Sequence, residues 1–506
     1  MKHIARSTLI VAVFFGLEKI LGFLRYFLIA RQFGLSSELD AFNAANNIPD
    51  LIFSLISGGA LALAFIPVLT ETRQKEGRPE SWVLFSQILN LVFVFTAGLS
   101  LLVALFAPFL VRAQIGIVPG FNPHQQALVV QLMRLNLIAT LLFSLGGLAI
   151  AGLQSNQHFW LPAIAPSMVD LGSLFGVIIL APTVGYRLGS ISLPAYHLGV
   201  YGLVYGIIIG AAFFLIIQIP GLFRYQFKWS PGFGLKTSKV NQVLRLMGPR
   251  VMTMLFINLV FVAQDNLASR LSAGAITALV YGWLFMQVPE TLIGTAIGTV
   301  LLPTLSEQVA VADQEQFQST LSSGLKIVIA FCLPLILLLS IVIRPVVAVL
   351  GFDADGTTLV TWTARAFLLG LIGHSLLEVA ARAFYAKQNA RTPMIASFIN
   401  TVLFILSASL LAKPLGAAGI ALANTLSFTT EASLLWILLS RQRQKPWQIR
   451  STLTRATLAA GLSGAAAYAV QLLPLPHLLL AIAAGCLGIL IAVPWVLPEV
   501  KILLHL

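Results

Sequence analysis

Apolar runs long enough to cross a bilayer follow one another from end to end of this chain, and that feature leaves few folds open. A spanning helix needs about 20 mostly apolar residues, and inside lipid every backbone polar group must be satisfied within helices or a closed barrel. Cutting the sequence at polar, proline-rich and glycine-rich punctuation gives fourteen such segments. They lie near 7–31, 46–70, 82–111, 127–152, 160–182, 197–220, 243–269, 275–305, 319–350, 358–386, 392–412, 416–440, 452–473 and 477–499, with 46–70 and 275–305 the least clean. Only 10% of the 506 residues are charged, against ~25% in an average soluble domain. No long polar stretch sets aside a separate soluble domain. The expected fold is therefore an all-α polytopic membrane protein.

The start, MKHIARSTLIVAVFFGLEKILGF, is basic, but no small-residue cleavage site follows and Glu18 and Lys19 interrupt the run. It reads as a retained first span, not a signal peptide. Cys332 and Cys486 both sit in apolar runs without metal-ligand spacing, so two buried free thiols and no metal site are expected. The formal charge of +13 is concentrated in short connections, which makes it a topology signal and not a nucleic-acid footprint. One set of connections and span ends holds seventeen Lys and Arg, from Lys2, Arg6 and Arg73 to Arg455 and Lys501, while the alternate set holds Arg187, Arg270 and Lys413. That asymmetry places both termini in the cytoplasm, which requires an even number of spans, as found.

The chain also echoes itself. GGALALAFIPVLTE (58–71) returns as GTAIGTVLLPTLSE (294–307), QSNQHFWLPAIA (154–165) as YAKQNARTPMIA (385–396), and LGVYGL (198–203) as LGAAGI (415–420). The echoes keep their order, so spans 1–6 and 7–12 read as two copies inserted the same way up, a parallel repeat about an axis along the membrane normal. The lobes are drawn at 1–222 and 223–440, with spans 13 and 14 (441–506) appended. Two such lobes describe an alternating-access transporter; a duplicated bundle with no pathway is the alternative.

Intramembrane charge favours the transporter. An ionisable group at a helix centre costs roughly 2.5–3.5 kcal/mol on insertion scales, so it faces a cavity or a partner. In LGFLRYFLIARQFG (21–34), Arg25 is too deep to snorkel easily, whereas Arg31 lies near an end. Glu18 and Arg25 share a helix face, and Lys19 lies about 100° away from Glu18. Arg25 either lines a polar cavity or is neutralised by Glu18 or Asp40. Further candidates are Asp50, Arg134, Asp170, Arg250, Asp265, Glu290, Arg365 and Glu431. Asp50, just after Pro49, reads as a residue of an entry turn. His374, Glu378 and Arg382 recur at four-residue intervals on one face, as a proton relay or a self-satisfied ladder would. Asp265 is the best lone acid for a coupling cation. Enzyme signatures are missing: there is no aspartate-rich metal motif, His pair, nucleophile elbow or phosphate-cradling glycine loop. GFDADG (351–356) reads as a solvated turn.

LGFLRYFLIARQFGLSSELDAFNAANNIPDL with GGALALAFIPVLTE, then MGPRVM (247–252), IGTVLLPTLSE (297–307) and RAFYAKQNARTP (382–393), resemble successive stretches of the MurJ/MviN lipid II flippases. These belong to the multidrug/oligosaccharidyl-lipid/polysaccharide exporter superfamily. The resemblance covers essentially the whole chain. It implies a flippase that carries a polyprenyl-pyrophosphate-linked saccharide to the outer leaflet, with basic residues meeting the pyrophosphate and the last two spans holding the lipid tail. Arg25 matches a family cavity arginine, Asp40 the acid of the DAF stretch, and Lys19 stands where arginine is usual. Arg250 is a further candidate contact. Phe53 replaces a family arginine, Leu284 and Gln287 replace arginine and glutamate, and Glu378 stands where a base is usual.

Those departures bear on cargo more than on fold, since each lost charge-assisted hydrogen bond is worth roughly 1.5–3 kcal/mol. A lipid II-type flippase is the leading expectation, as a monomer in the cell membrane, with no cofactor and no nucleic acid. An exporter of another lipid-linked or amphiphilic cargo, coupled to H⁺ or Na⁺ through Asp265 or Glu378 with His374, is the alternative. A polyprenyl-phosphate enzyme and a non-transporting scaffold stand behind both. Coupling to membrane potential, Na⁺ or H⁺ stays open.

Overall fold

The computed structural model describes the backbone of residues 2–56, 60–189, 191–441, 447 and 449–505, and their side chains outside 2–13, 15, 60–64, 188, 191, 249–250 and 503–505. By packing, the chain divides into two compact units, Met1–Val262 and Ala263–Leu506.

The first unit runs α1 (Lys2–Phe33), α2 (Ser37–Ile56), α3 (Ala60–Lys75), α4 (Arg78–Arg112), α5 (Pro123–Ser155), α6 (Trp160–Phe175), α7 (Val200–Ile216), α8 (Ile219–Arg224) and most of α9 (Ser238–Ala268). Helix α5 is its hub, packing on α2, α3, α4 and α7, while α6 packs on α1 and α7. A reciprocal cap starts α5: Asn122 Oδ1 accepts from Gln125 N at 2.9 Å and Gln125 Oε1 from Asn122 N at 3.2 Å, with Pro123 following. Glycine sets the α6–α7 approach, since a Cβ on Gly172 would collide with the backbone of Gly210. Close contact through small residues is how helices associate without help from a lipid solvent. After α6 come a π-helical turn (Gly176–Leu180) and two-residue strands β1 (Arg187–Leu188) and β2 (Ile191–Ser192), antiparallel with Arg187 opposite Ser192. This small hairpin lies in a connection and leaves the all-α spans as expected.

The second unit continues through α10 (Ala275–Glu290), a π-helical turn (Thr291–Thr295), α11 (Ala296–Ala310), α12 (Gln314–Val349), α13 (Ala354–Leu368), α14 (Leu371–Ala386), α15 (Arg391–Ser440), α16 (Arg450–Gln471) and α17 (His477–His505). Helix α12 packs against α16 and α17, and α14 against α11 and α15. Asp353 of GFDADG caps α13, its Oδ1 accepting from Gly356 N at 2.8 Å. The acidic pair therefore has a structural duty at a helix start.

Joined pieces give the fourteen expected crossings among the described residues, and ten helical stretches, joined pieces among them, are long and apolar enough to span a bilayer. Several spans are made of more than one element: span 5 is α6 and its π turn, span 6 α7 plus α8, span 8 α10 and α11 around the π turn, and span 10 α13 plus α14. Span 2 takes in α2 and α3, and residues 57–59 between them lie outside the described residues. Asp50 lies within α2, one residue past Pro49, not in an entry turn. Spans 11 and 12 run as one element, α15, that bends only at Gly416 (φ 59°, ψ −141°).

The repeat is visible in local backbone. Gly416 adopts nearly the angles of Gly199 (φ 52°, ψ −134°), its partner in the LGVYGL/LGAAGI echo. In the preceding echo Gln157 (φ 59°) and Gln388 (φ 54°) both take the left-handed region. The hydrogen bonds around them correspond too: His158 N to Leu153 O matches Asn389 N to Phe384 O, at 3.0 and 2.9 Å. The first echo begins at Gly58 and Gly59, which lie outside the described residues.

Prolines inside helices leave carbonyls without their usual N–H partner, and side chains take them up. Pro108 frees Ala104 O, which accepts from Arg134 Nε at 2.9 Å. Pro345 frees Ile341 O, which accepts from Gln471 Nε2. Next to it, Arg365 Nε donates to Ser340 O at 2.8 Å, with its guanidinium over the Trp362 ring. Arg134 and Arg365 thus serve helix packing. Cys332 is buried as expected, but Cys486 is exposed on the surface of α17, because its apolar run presents that face outward.

Candidate functional site

Two clusters of ionisable side chains lie within apolar helices, one in each unit. In the first, α1 packs on α6, and Arg25 Nη1 meets Asp170 Oδ1 at 3.0 Å. The pair is mostly enclosed, with side chains 23% and 7% exposed. Gly22, one turn before Arg25, faces the same carboxylate; a Cβ there would sit 3.7 Å from Asp170 Oδ2. The guanidinium also lies 4.7 Å from the Tyr26 ring centroid, a cation–π contact. Lys19 is exposed and 3.3 Å from Glu18 Oε1, and both charges act on Asp170. Asp50 on α2 feels the charge of Arg25 as well.

The partner expected for Arg25, Glu18 or Asp40, is therefore replaced by Asp170. Glu18 shares a face with Arg25 but is taken by its neighbour Lys19, while Asp170 reaches across from α6. Asp40 is buried, 2% exposed, in the first turn of α2, where a helix start favours negative charge. Arg31 sits in the last turn of α1 against the Phe27 ring, the end position expected of it. The side chain of Arg250, on α9, lies outside the described residues. Phe53 packs on Phe143 of α5 with ring centroids 5.7 Å apart, and Phe143 on Phe214 of α7 at 5.6 Å. At that position an aromatic seam replaces a cation.

In the second unit, Glu378 and Arg382 pair along α14, Oε2 to Nη2 2.9 Å. The N–H does not point at the oxygen, so this is an ion pair without a hydrogen bond. Both charges act on Glu290, the last residue of α10, whose carboxylate accepts from Thr295 Oγ1 at 3.3 Å across the π turn. Leu284 is half-buried and Gln287 exposed one turn earlier. Two acids and one base thus gather where a π turn breaks span 8, the kind of irregularity often found at functional sites.

His374 does not join the series its spacing suggests. Its Nε2 lies 3.0 Å from Asn424 Oδ1, within hydrogen-bond distance. The ring stacks on Phe428, centroids 4.2 Å apart, and meets Trp283 edge-on. Cross-helix aromatic packing outweighs an i, i+4 contact here, so a His374–Glu378–Arg382 relay is not assembled. Asp265 is buried, 4% exposed, in the last turn of α9, where its backbone oxygen accepts from Ser269 N at 2.8 Å.

Two acids carry more structure than their sequence context signals. Glu499 on α17 accepts from Thr452 and Arg455 of α16 and is 1% exposed. Glu431 on α15 accepts from Ser397 and Asn400. Only their position in apolar runs could have drawn attention to them, since both sets of partners are more than 30 residues away. Among the described residues no group of three or more His, Cys, Asp and Glu side chains is arranged to hold a metal ion.

The sequence model of the family described as lipid II flippase MurJ matches residues 29–484. A lipid II flippase MurJ of Burkholderia cenocepacia is 29% identical over 445 residues, covering 86% of this chain and 83% of its own. A solved structure of lipid II flippase MurJ in an inward closed conformation aligns with a TM-score of 0.79 at 21% identity, covering 96% of this chain and 98% of that one. An inward-facing multidrug resistance MATE family transporter of the MOP superfamily aligns with a TM-score of 0.71 at 12% identity, covering 84% and 94%. At those identities the two structures speak for fold.

Proposed function

With its match extending over residues 29–484, the chain belongs to the lipid II flippase MurJ family, and from that premise we propose that it translocates a polyprenyl-pyrophosphate-linked saccharide across the cell membrane. The cargo is a lipid II-like peptidoglycan precursor, moved from inner to outer leaflet by alternating access of lobes 1–222 and 223–440, with 441–506 supporting the lipid tail. The protein acts as a monomer with both termini cytoplasmic. It performs no covalent chemistry.

The observation that carries this reading is Arg25, a permanent cation two turns inside the end of apolar α1 and held by Asp170. A diphosphate crossing low dielectric needs fixed positive charge, and guanidinium grips phosphate with paired N–H donors where an ammonium offers a point charge. In this reading Arg25 and Lys19 meet the pyrophosphate, Arg250 adds a further contact, and Asp40 steadies the start of α2. The Phe53–Phe143–Phe214 seam favours a second reading, in which a less charged amphiphile is the cargo and Asp265 or Glu378 couples export to H⁺ or Na⁺.

The test is flipping of a fluorescent undecaprenyl-pyrophosphate sugar in proteoliposomes, wild type against Arg25→Ala. Flipping that collapses in a correctly folded Arg25→Ala protein supports the proposal. A wild type that flips none of this lipid overturns it and moves the second reading forward.

A further inference from the structure

Among the described residues of the second unit, two acids that the pathway above does not use are almost fully enclosed; Glu499 is paired with Arg455, and Glu431 has no ion-pair partner. Glu431 is 3% exposed in the 417–440 half of α15, ten residues from Arg441. Ser397 Oγ donates to its Oε1 at 2.7 Å and Asn400 Nδ2 to its Oε2 at 2.8 Å. Both donors lie in the 391–415 half, one turn apart, and are 3% and 1% exposed. The carboxyl is therefore held across the bend at Gly416 by neutral groups alone. Facing elements carry His374, Glu378, Arg382 and Tyr385 on α14, Asp355 and Arg365 on α13, and Glu290 and Tyr281 on α10. Glu431 bonds to none of them; its partners are Ser397 and Asn400.

We propose that the Glu431–Ser397–Asn400 cluster is a proton-binding site that couples the second unit to the pH on one side of the membrane. A buried carboxylate with no counter-charge is among the costliest groups a helix interior can hold, and taking up a proton removes that cost. Asn400 suits both states. As drawn, its Nδ2 donates to the carboxylate while its Oδ1, buried, accepts nothing. Turned over, the amide presents Oδ1 to the O–H of the neutral acid. The proton comes from water and returns to it, and no bond other than O–H is made or broken.

The oxygen set argues against a metal ion, since a hard cation takes about six oxygen ligands and this cluster offers the carboxylate, Asn400 Oδ1 and Ser397 Oγ. Mechanical linkage is also present. The 417–440 half is tied to its neighbours on either side of Glu431, by Thr425 Oγ1 to Ala366 O (2.7 Å) and Trp436 Nε1 to Leu376 O (3.0 Å). Gly373 brings α14 hard against Thr429. Exchanging a carboxylate for an acid changes the bonds between the halves of α15 while the rest of the contact stays fixed.

The proposal rests on the transport reading for its consequence but not for its test. The full chain in liposomes is titrated from about pH 5 to pH 9 by infrared difference spectroscopy of the carboxyl C=O stretch. The expected result is a carboxyl band that titrates in wild type and is missing from Glu431→Gln. Ser397→Ala, which keeps the acid, should move that titration to higher pH; it also decides the matter if Glu431→Gln does not fold. Flipping in wild type should vary with pH by up to about tenfold per unit where the site titrates, and Glu431→Gln should flatten it. A wild-type band that never titrates overturns the proton site even if lipid is flipped. A band lost on exchanging choline for Na⁺ at fixed pH overturns it in favour of a sodium site. If the band titrates and no lipid is flipped, the proton site stands and the flippase reading falls.

Discussion

The Arg25–Asp170 pair lets structural and substrate roles be separated by a double-variant cycle. Arg25→Ala leaves the Asp170 carboxylate, 7% exposed, without its counter-charge. Removing one partner of a buried pair costs about 3–5 kcal/mol. Arg25 itself is 23% exposed, so water can partly replace the lost contact, and about 3 kcal/mol is the value to expect. Asp170→Asn keeps shape and one acceptor while stranding the cation nearer to solvent, at about 2 kcal/mol. Because the double variant strands neither charge, its loss should fall short of the sum by about 1–3 kcal/mol. Equilibrium unfolding in mixed micelles, followed by tryptophan fluorescence, reads these differences. Flipping should behave otherwise: absent in Arg25→Ala and still absent in the double variant, since the phosphate contact is not restored. A double variant that recovers both stability and flipping would refute the reasoning, because Arg25 would then serve Asp170 and not the lipid.

Gly172→Ala should lower thermal stability and yield, since its Cβ meets the backbone of Gly210, whereas Gly98→Ala, with open space around it, should gain up to about 1 kcal/mol. Thermal unfolding of the two side by side checks the contrast. Glu499→Gln should destabilise the α16–α17 contact by about 1–2 kcal/mol, because Arg455, 35% exposed, loses its counter-charge but stays partly hydrated; Arg455→Met in the same background should regain part of that loss in the same unfolding assay. His158, in the α5–α6 connection, is held below its usual titration range, chiefly by burial and then by the Arg224 charge. The folded state therefore binds fewer protons than the unfolded one, so this contribution is complete above pH 6.5, the ordinary His value, and shrinks as pH falls below it. Apparent melting temperatures between about pH 7.5 and pH 5.5 should fall more for wild type than for His158→Gln.

What the chain wrote plainly was everything carried by runs of residues. Apolar stretches fixed the crossings, and the echoes marked the repeat, at whose matched positions the structure places left-handed residues, Gln157 with Gln388 and Gly199 with Gly416. Breaks inside spans were harder, because a π turn at Thr291–Thr295 and the α13–α14 break leave an apolar pattern nearly unchanged. Partnerships across helices were not legible at all. Spacing can only relate residues along one helix, so Arg25 looks to Glu18 and His374 to Glu378, while the structure pairs them with Asp170 and Asn424. Arg134 looks like a cavity cation for the same reason. Its real partner, the Ala104 carbonyl, becomes available because Pro108 stands four residues later, a cue that is visible in sequence only when two helices are known to touch.

On the proposed function, the charges that remain in the first unit favour exchange over simple attraction as the mode of anion binding. Lys19 is met by Glu18 and Arg25 by Asp170, so the cluster presents little net charge to a diphosphate approaching from a distance. At contact the balance changes. A diphosphate carries more charge than one carboxylate and can accept from a guanidinium in paired fashion, so it can take the place of Asp170 at one edge of Arg25. Until then Asp170 keeps the guanidinium in a single orientation, sparing the ligand the entropy of ordering a long side chain. The same carboxylate competes with the ligand once it has bound, and competition helps release on the far side. A site of cations alone would hold a pyrophosphate tightly and let it go slowly; a site of paired charges would give up affinity for turnover. In that light the loss of a cation at Phe53 is compatible with transport, because what the step requires is a placed guanidinium with a carboxylate to return to, and both are present in α1 and α6.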